Sequence, residues 1–461
     1  MMKKLLHSIA ALMIAATTIS PAQAASITTP PSSQNVSLGQ PVSLSVVATG
    51  TGTINYQWQK DGVAIPAATG SSYNITSAQP WHVGDYRVKV TDGGGTVTSN
   101  LAELSLIGIN TGLWKGLMGY YPLNGNTQDW TAFGAHGSSA NSSGGTDRFG
   151  KAGKAWNFGS NVNSQITVPS SAQHNFGAEM TASVWAKFNE SWSYHTESLI
   201  WNRPYPQNYG FELGINQDDS MYGAGNYTLG SFGGYFSSGN LKSVTGPSVP
   251  FSNLSKWNLF TVTISSGFAR LFVNGVFMSQ TAVTGSLVNS PADLVIGGSS
   301  HPVSGAYNRD VDDVRLYNRG LDGTEVSALY AAENAANNWR QQYFGSTANT
   351  GNAADDADPD KDGLLNLLEF ALNLNPNIYN SVPASAQLNG SNLEYTYTRG
   401  TAAFNGGQIF RVEWSDTLGT LSWSSGGVME EVLSDNGTVQ QMKATLPAGT
   451  NGRRFVRLRV E

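Results

Sequence analysis

The 461-residue chain contains no cysteine. Disulfides and lipidated cysteine anchors are therefore excluded, and stability has to come from packed cores or bound metal. Charge is scarce as well. Asp, Glu, Lys and Arg together make 13% of the residues, the net charge is −6, and no long basic run occurs. Nucleic acid is excluded as a partner class, because phosphate binding needs clustered Lys and Arg. Beyond the N-terminus, no apolar run approaches the roughly 20 residues that a bilayer-spanning helix requires. Several catalytic signatures are also missing: Glu-x-Asp, His-Glu-x-x-His and the Gly-x-Ser-x-Gly elbow do not occur, and the six histidines are scattered. What the chain has in quantity is glycine (52 residues) and aromatics (10%). That mix suits several β-rich domains joined by tight turns.

The N-terminus reads as an export signal spanning 1–24. Lys3 and Lys4 form a basic start, Leu5 to Ile19 a short apolar stretch, and Ala22-Gln23-Ala24 a small-x-small cleavage site. The expected location is secreted or at the cell surface.

Residues 25–107 alternate apolar and polar in "PVSLSVVATG", "INYQWQKDG", "DYRVKVTD" and "AELSLIG", with turn residues between. This pattern predicts an antiparallel sandwich. The segment resembles a bacterial immunoglobulin-like domain. Trp58 falls at that family's core tryptophan and Tyr86 at its tyrosine corner. Val46 and Val88 take the two cysteine positions, and His82 replaces the customary Asp.

Residues 108–333 are again strands and turns, ending in helical spacing at "LDGTEVSALYAAE". Asn274-Gly275 within "FVNGVF" predicts a two-residue hairpin turn with positive φ. With "GYYPLNGNTQDW", "RFGKAGKAWNFG", "MTASVWAKF" and "VDDVRLYNRGLDG", the stretch resembles the laminin-G-like jelly roll, the concanavalin-type sandwich. That resemblance implies a lectin-like fold. In sandwiches related to laminarinases, an acid of the matching final strand binds a structural calcium, which points to Asp312 or Asp313. Strand alternation puts only one of the two on a given face.

The stretch 334–377 carries "DADPDKDGLLNLLEF". A calcium loop needs oxygen ligands at positions 1, 3, 5, 7, 9 and 12 and glycine at 6. Asp358, Asp360, Asp362, Leu364 (through its carbonyl), Asn366 and Glu369 fill those slots, with Gly363 at the turn. Leu364, Leu367, Leu368, Ala371 and Leu372 then recur at helical spacing. No helical pattern runs into Asp358, so the site resembles a dockerin half-site, an EF-hand-like linker with one helix missing. A structural calcium is expected, and a sensor is not. Residues 378–461 return to alternation and predict a small β-sandwich. The combination resembles terminal modules of secreted proteins from Verrucomicrobia-like bacteria. The expected fold class is thus mainly β: an immunoglobulin-like sandwich, a concanavalin-type jelly roll, a short helical calcium-loop segment and a C-terminal β-sandwich.

For ligand binding, aromatics cluster between Trp192 and Phe236, interleaved with Asn, Gly and Ser. Flat rings stack on pyranose faces, and nearby amides fix hydroxyls. Trp192, Tyr194, Tyr205 and Tyr209 fall in loop-like sequence and are the candidates. Trp201 and Phe211 sit in strand-like pattern and are expected in the core. Laminarinase-type hydrolases place two acids on one strand, whereas "YGFELGINQDD" offers Glu212 alone. Asp218 and Asp219 are the nearest alternative partners. "GTDRFGKA" imitates a phosphate loop but lacks the hydroxyl after Lys151. The expectation is a non-catalytic, adhesion-type protein that binds a polysaccharide or glycoprotein. A polysaccharide hydrolase or lyase with an unrecognised site, and a structural surface protein with protein partners, stand as alternatives.

Overall fold

The computed structural model describes residues 24–460, except 110, 162, 192–195, 205, 217–225, 300–307, 407, 421, 448 and 450–452. Trp192, Tyr194, Tyr205, Asp218 and Asp219 lie outside the described residues, as does the expected export signal up to residue 23. Within the described residues the protein is mainly β, with immunoglobulin-like and concanavalin-like domains and a few short helices.

In the first domain Trp58 and Val88 face each other across strands Asn55–Lys60 and Gly84–Asp92. Val46 lies in the same core, so two valines fill the space of a disulfide by apolar burial alone. The Tyr86 hydroxyl donates to the His82 carbonyl at 2.7 Å, which is the tyrosine-corner bond. His82 itself is neutral at ordinary pH: burial, and then the charge of Lys60, lowers it to about 4.

The second domain stacks an eight-stranded and a seven-stranded antiparallel sheet. Its central strand Arg309–Tyr317 is flanked by Met180–Phe188 on one side. On the other, its two halves pair Ala152–Phe158 and Leu117–Tyr121. Val311, Val314 and Leu316 point into the core between the sheets. The predicted hairpin forms: Val273 pairs Val276, and Asn274 and Gly275 take φ 52° and 76°. Helix Gly323–Glu333 begins at a capping box between Asp322 and Glu325.

Strict alternation fails at one place that matters. Asp313 adopts φ 44°, and the register with Met180–Phe188 slips there, so Asp312 and Asp313 both turn to the outer side of the sheet. Both carboxylates grip Arg148, at 2.5 and 2.7 Å. Asp312 is therefore corrected from a calcium ligand to an ion-pair partner, because the guanidinium already supplies the positive charge. Tyr120 donates to Asp313 at 2.8 Å, and Arg148 Nε donates to the Glu333 carbonyl at 3.0 Å. Glu333 accepts from Trp185 Nε1 at 2.7 Å and pairs with Arg315. Burial opposes ionisation of Asp313, but Arg148 and Arg315 outweigh it and hold its pKa below the ordinary carboxylate value.

The last module is a four-stranded sheet beside the ribbon of Phe410–Ser415 and Phe455–Val460. Its core takes in Trp339 from helix Ala335–Phe344 and Phe370 and Ala371 from helix Asn366–Leu372. The stretch read as a linker thus supplies part of this core. All three domains touch. Asn318 Nδ2 donates to the Asp61 carbonyl, Ser37 Oγ to the Glu430 carbonyl, and Gln440 Nε2 to the Gly108 carbonyl, at 2.9, 2.9 and 3.1 Å. No helix among the described residues is long and apolar enough to cross a membrane.

Two outcomes follow from these buried groups. Arg148→Met removes the ion-pair partner that two buried carboxylates share, leaving Asp313 its bond from Tyr120, and a loss of about 3–5 kcal/mol in denaturant unfolding is expected. The triple variant Arg148→Met, Asp312→Asn, Asp313→Asn should lose markedly less; an equal loss would show that the charge pairing is not the cause. For the histidines, burial alone holds His174 at about 4 as well. Both folded values lie below the unfolded value of 6.5, so stability is complete above pH 6.5 and falls as the pH drops towards 4. The loss is about 3 kcal/mol for His174 and less for the partly exposed His82. Melting curves of the His82→Gln, His174→Gln double variant should flatten in this window relative to the parent; parallel curves would refute the assignment.

Candidate functional site

The described part of the aromatic segment lies on the seven-stranded sheet. Strands Thr196–Trp201, Phe211–Asn216 and Ser231–Phe236 lie side by side in that order. Phe211, Leu213 and Ile215 point into the core. By alternation Glu212 points the other way, directly opposite Trp201 on one neighbour and Gly233 on the other. Tyr235, two residues beyond Gly233, shares this outward face. Phe211 is in the core as expected, but Trp201 is not: it is half-buried on the outward face, with its indole N–H bonded to the Gly297 carbonyl at 2.9 Å. A period of two identifies two faces without saying which is covered, and that is why sequence reading misplaced it.

Glu212 is buried and held. Ser198 Oγ donates to it at 2.5 Å and Arg203 Nη2 at 3.0 Å. Arg203 in turn lies over the Tyr235 ring at 5.8 Å. The face therefore offers two half-buried rings, a guanidinium fixed by a carboxylate and, at Gly233, floor without a side chain. Such a surface can hold a ring through its apolar face and hydroxyls through ionic acceptors and donors. Tyr209 is half-buried in the turn leading into Phe211–Asn216. Tyr227 and Phe236 are buried and serve packing.

The acidic loop is separate. Asp358, Asp360 and Asp362 bring one carboxylate oxygen each within 4.8 Å of one another. The backbone folds around them: Asp358 accepts from the N–H groups of Asp362 and Gly363, and Asp362 from those of Leu364 and Asn380. Lys361 and Gly363 take φ 63° and 90°, the sharp turn for which glycine was expected. Glu369 comes from the first turns of helix Asn366–Leu372. It is 0% exposed, and neither carboxylate oxygen meets a hydrogen-bond donor. Burial first, then the charges of Asp360 and Asp362, pushes its pKa up to about 7. Asp360 Oδ2 and Asn366 Oδ1 also lack a partner, while Asn366 Nδ2 braces the incoming chain through the Asn352 and Ala354 carbonyls, both at 2.7 Å. Leu364 holds the seventh position with its N–H on Asp362. Buried, undonated oxygens on carboxylates and an amide fit a hard cation such as calcium. Helix Ala335–Phe344 ends well before Asp358, and only the single 3₁₀ turn Gly351–Ala353 lies between, so no α-helix leads into the loop.

Comparison with known proteins agrees with two of the domains. Residues 158–327 match the Concanavalin A-like lectin/glucanases superfamily, and residues 26–92 match the immunoglobulin domain family. A curated relative, the decoration protein of Escherichia phage T5, is 46% identical over 61 residues, which is 13% of this chain. The chain spans 37% of that protein's length. Among solved structures, the binding domain of botulinum neurotoxin serotype G aligns with TM-score 0.38 and 14% identity, over 48% of this chain and 52% of that one. Domain 4 of an extracellular arabinanase from Geobacillus stearothermophilus, solved with arabinotriose, aligns with TM-score 0.35 and 16% identity, over 46% and 96%. The binding domain of Paraclostridial Mosquitocidal Protein 1 gives 0.38 and 14%, over 75% and 86%. These scores mark a loose likeness. The strand order and the two family matches identify an immunoglobulin-like domain followed by a concanavalin A-like jelly roll.

Proposed function

We propose that this is an exported, non-catalytic protein whose jelly roll binds a glycan or glycoprotein. The observation that carries this reading is the state of Glu212. It is the acid on the strand that the sequence offers as the candidate for the acidic pair of related hydrolases, and it is clamped by Ser198 and Arg203 beside Trp201. A retaining glycosidase needs two carboxylates about 5 Å apart, one of them free to donate a proton. A carboxylate fixed by a guanidinium is suited to orienting hydroxyls instead. Tyr209 is half-buried in the turn beside this face; Trp192, Tyr194 and Tyr205, which lie outside the described residues, are the ring candidates that the sequence adds. A polysaccharide panel tests the reading. Retention without product is expected, and Trp192→Ala or Tyr205→Ala should weaken it about tenfold, the loss of one stacking ring. Release of new reducing ends or unsaturated sugars would indicate an enzyme. Neither retention nor release would favour a structural role with protein partners.

The buried, undonated carboxylate of Glu369 supports a second element of the proposal, a calcium clip. Asp358, Asp360, Asp362, Leu364, Asn366 and Glu369 would hold the ion, and its charge would neutralise acids that otherwise repel. Without a helix leading in, the loop has no paired element to swing, and its role is to order the chain between Ala354 and Asn380. Extracellular sites of this class bind with dissociation constants of about 10⁻⁴–10⁻³ M. Calcium at about 1 mM then adds about 0.4–1.4 kcal/mol, a rise of about 1–5 °C in melting temperature. Asp360→Ala should abolish that rise; identical melting of the parent protein with calcium and with chelator would refute the site.

A further inference from the structure

Trp81 and Trp130 belong to different domains, yet their ring centroids lie 4.8 Å apart. They form one wall of a cavity of about 350 Å³ at the point where the immunoglobulin-like domain, the jelly roll and the C-terminal module meet. Its floor is Tyr120 and the Arg148 network on the outer side of the eight-stranded sheet. Phe404 and Gln408 of the last module close the opposite side. The volume is within the range of small-molecule sites, and a junction between domains is a preferred place for them.

Three features define what it would hold. The first is the state of the tryptophans. Trp81, Trp114 and Trp130 are half-buried, and none of their indole N–H groups donates to a described residue. The core indoles do have acceptors: Trp58 bonds the Gly70 carbonyl at 3.0 Å, Trp156 bonds Ser142 at 2.9 Å and Trp185 bonds Glu333 at 2.7 Å. Flat apolar rings with unspent donors suit a ligand with apolar faces and a hydroxyl rim.

The second feature is charge. Four acidic and four basic side chains line the cavity, so its wall is neutral, and the innermost are already paired with one another. A charged ligand would have to break one of those pairs. The third is the occupancy of the aromatic faces. Arg315 lies over Tyr120 at 4.5 Å and over Trp114 at 5.2 Å, so the position an ammonium ligand would take is filled by the protein's own cation.

We propose that this junction cavity binds a short neutral saccharide, stacked on Trp81 and Trp130, with its hydroxyl oxygens accepting from the free indole N–H groups and its hydroxyls bonding the side-chain amide of Gln408. The ligand class rests on the glycan-binding reading above; the location does not, because this cavity and the Trp201–Glu212 face lie on opposite sheets of the sandwich. A ring supplied by the first domain means that the site is complete only when the domains are docked.

The full-length protein should be titrated calorimetrically with neutral gluco-, manno-, galacto- and xylo-oligosaccharides, with tryptophan emission followed in parallel. Binding of at least one sugar with a shift in emission is expected. Trp81→Ala and Trp130→Ala should each weaken it about tenfold, with unchanged circular dichroism. Trp130→Tyr, which keeps a ring and guards against misfolding of the alanine variant, should lose less. If no sugar in the panel binds, or if binding ignores both Trp81→Ala and Trp130→Ala, the junction site is overturned. Binding lost only in Tyr205→Ala would leave the glycan-binding reading standing while removing this site. Binding lost only in the Trp81 and Trp130 variants would support this site and refute the placement on the loops.

Discussion

A guanidinium held between two carboxylates joins parts of the chain that are remote in sequence. Arg148 reaches Asp312 and Asp313 in the central strand and the Glu333 carbonyl at the end of the helix that follows. Replacing such a cluster by apolar residues often leaves stability unchanged or raises it, so its net energy is not what the fold gains from it. The gain is geometric. With Arg148 in place, the positive φ of Asp313 has a partner on the side to which the bulge turns it. The loop around Arg148 is pinned, and Glu333 is positioned to receive Trp185 and Arg315. The junction cavity has this network as its floor.

In a chain so poor in charge, the two dense clusters of acid invite comparison. At Asp312, Asp313 and Glu333 the positive partners are built in, as Arg148 and Arg315. At Asp358, Asp360, Asp362 and Glu369 the donors are mostly backbone N–H groups, and Glu369 has none. Backbone amides can shape the loop but carry no net charge to offset four carboxylates. The same physical demand is therefore met internally in one place, while in the other the residues present suit an external cation.

Much of the fold was legible because it rests on local pattern. Alternation marked the strands, Asn274-Gly275 the hairpin, and the apolar spacing after Asn366 the helix. Trp58, Tyr86 and the valines at the cysteine positions were readable because each belongs to a fixed place in a known sandwich. What stayed hidden depends on residues far apart in the chain. Arg148 and Asp312 are joined only by topology. The bulge at Asp313 breaks the alternation that was expected to put only one of the two acids on a given face. Trp201 lies on the outward face because its neighbours, and not its own strand, decide what is covered. Trp339 and Phe370 looked like parts of a spacer, and only the packing of the last module makes them core. The cavity tryptophans gave no local signal either, since Trp81 and Trp130 meet through the docking of two domains.

The docking itself follows from what surrounds the acidic loop. Asp355, three residues before Asp358, pairs with Lys151 at 2.9 Å and with Arg340 at 2.5 Å. Lys151 belongs to the same loop as Arg148 and stands at the edge of the cavity. At the other end of the acidic loop, Asp362 accepts from the Asn380 N–H, just ahead of the first strand of the last module. Phe370 and Ala371, on the helix in between, are buried in that module's core. The segment is thus fixed at three points: to the jelly roll through Lys151, to the preceding helix through Arg340, and to the C-terminal sheet through its apolar face. A tether would leave these domains free to reorient, and a binding surface shared between them would lose affinity to the cost of ordering it. A segment fixed at three points removes that freedom before any ligand arrives, which is the condition a site assembled from three domains requires.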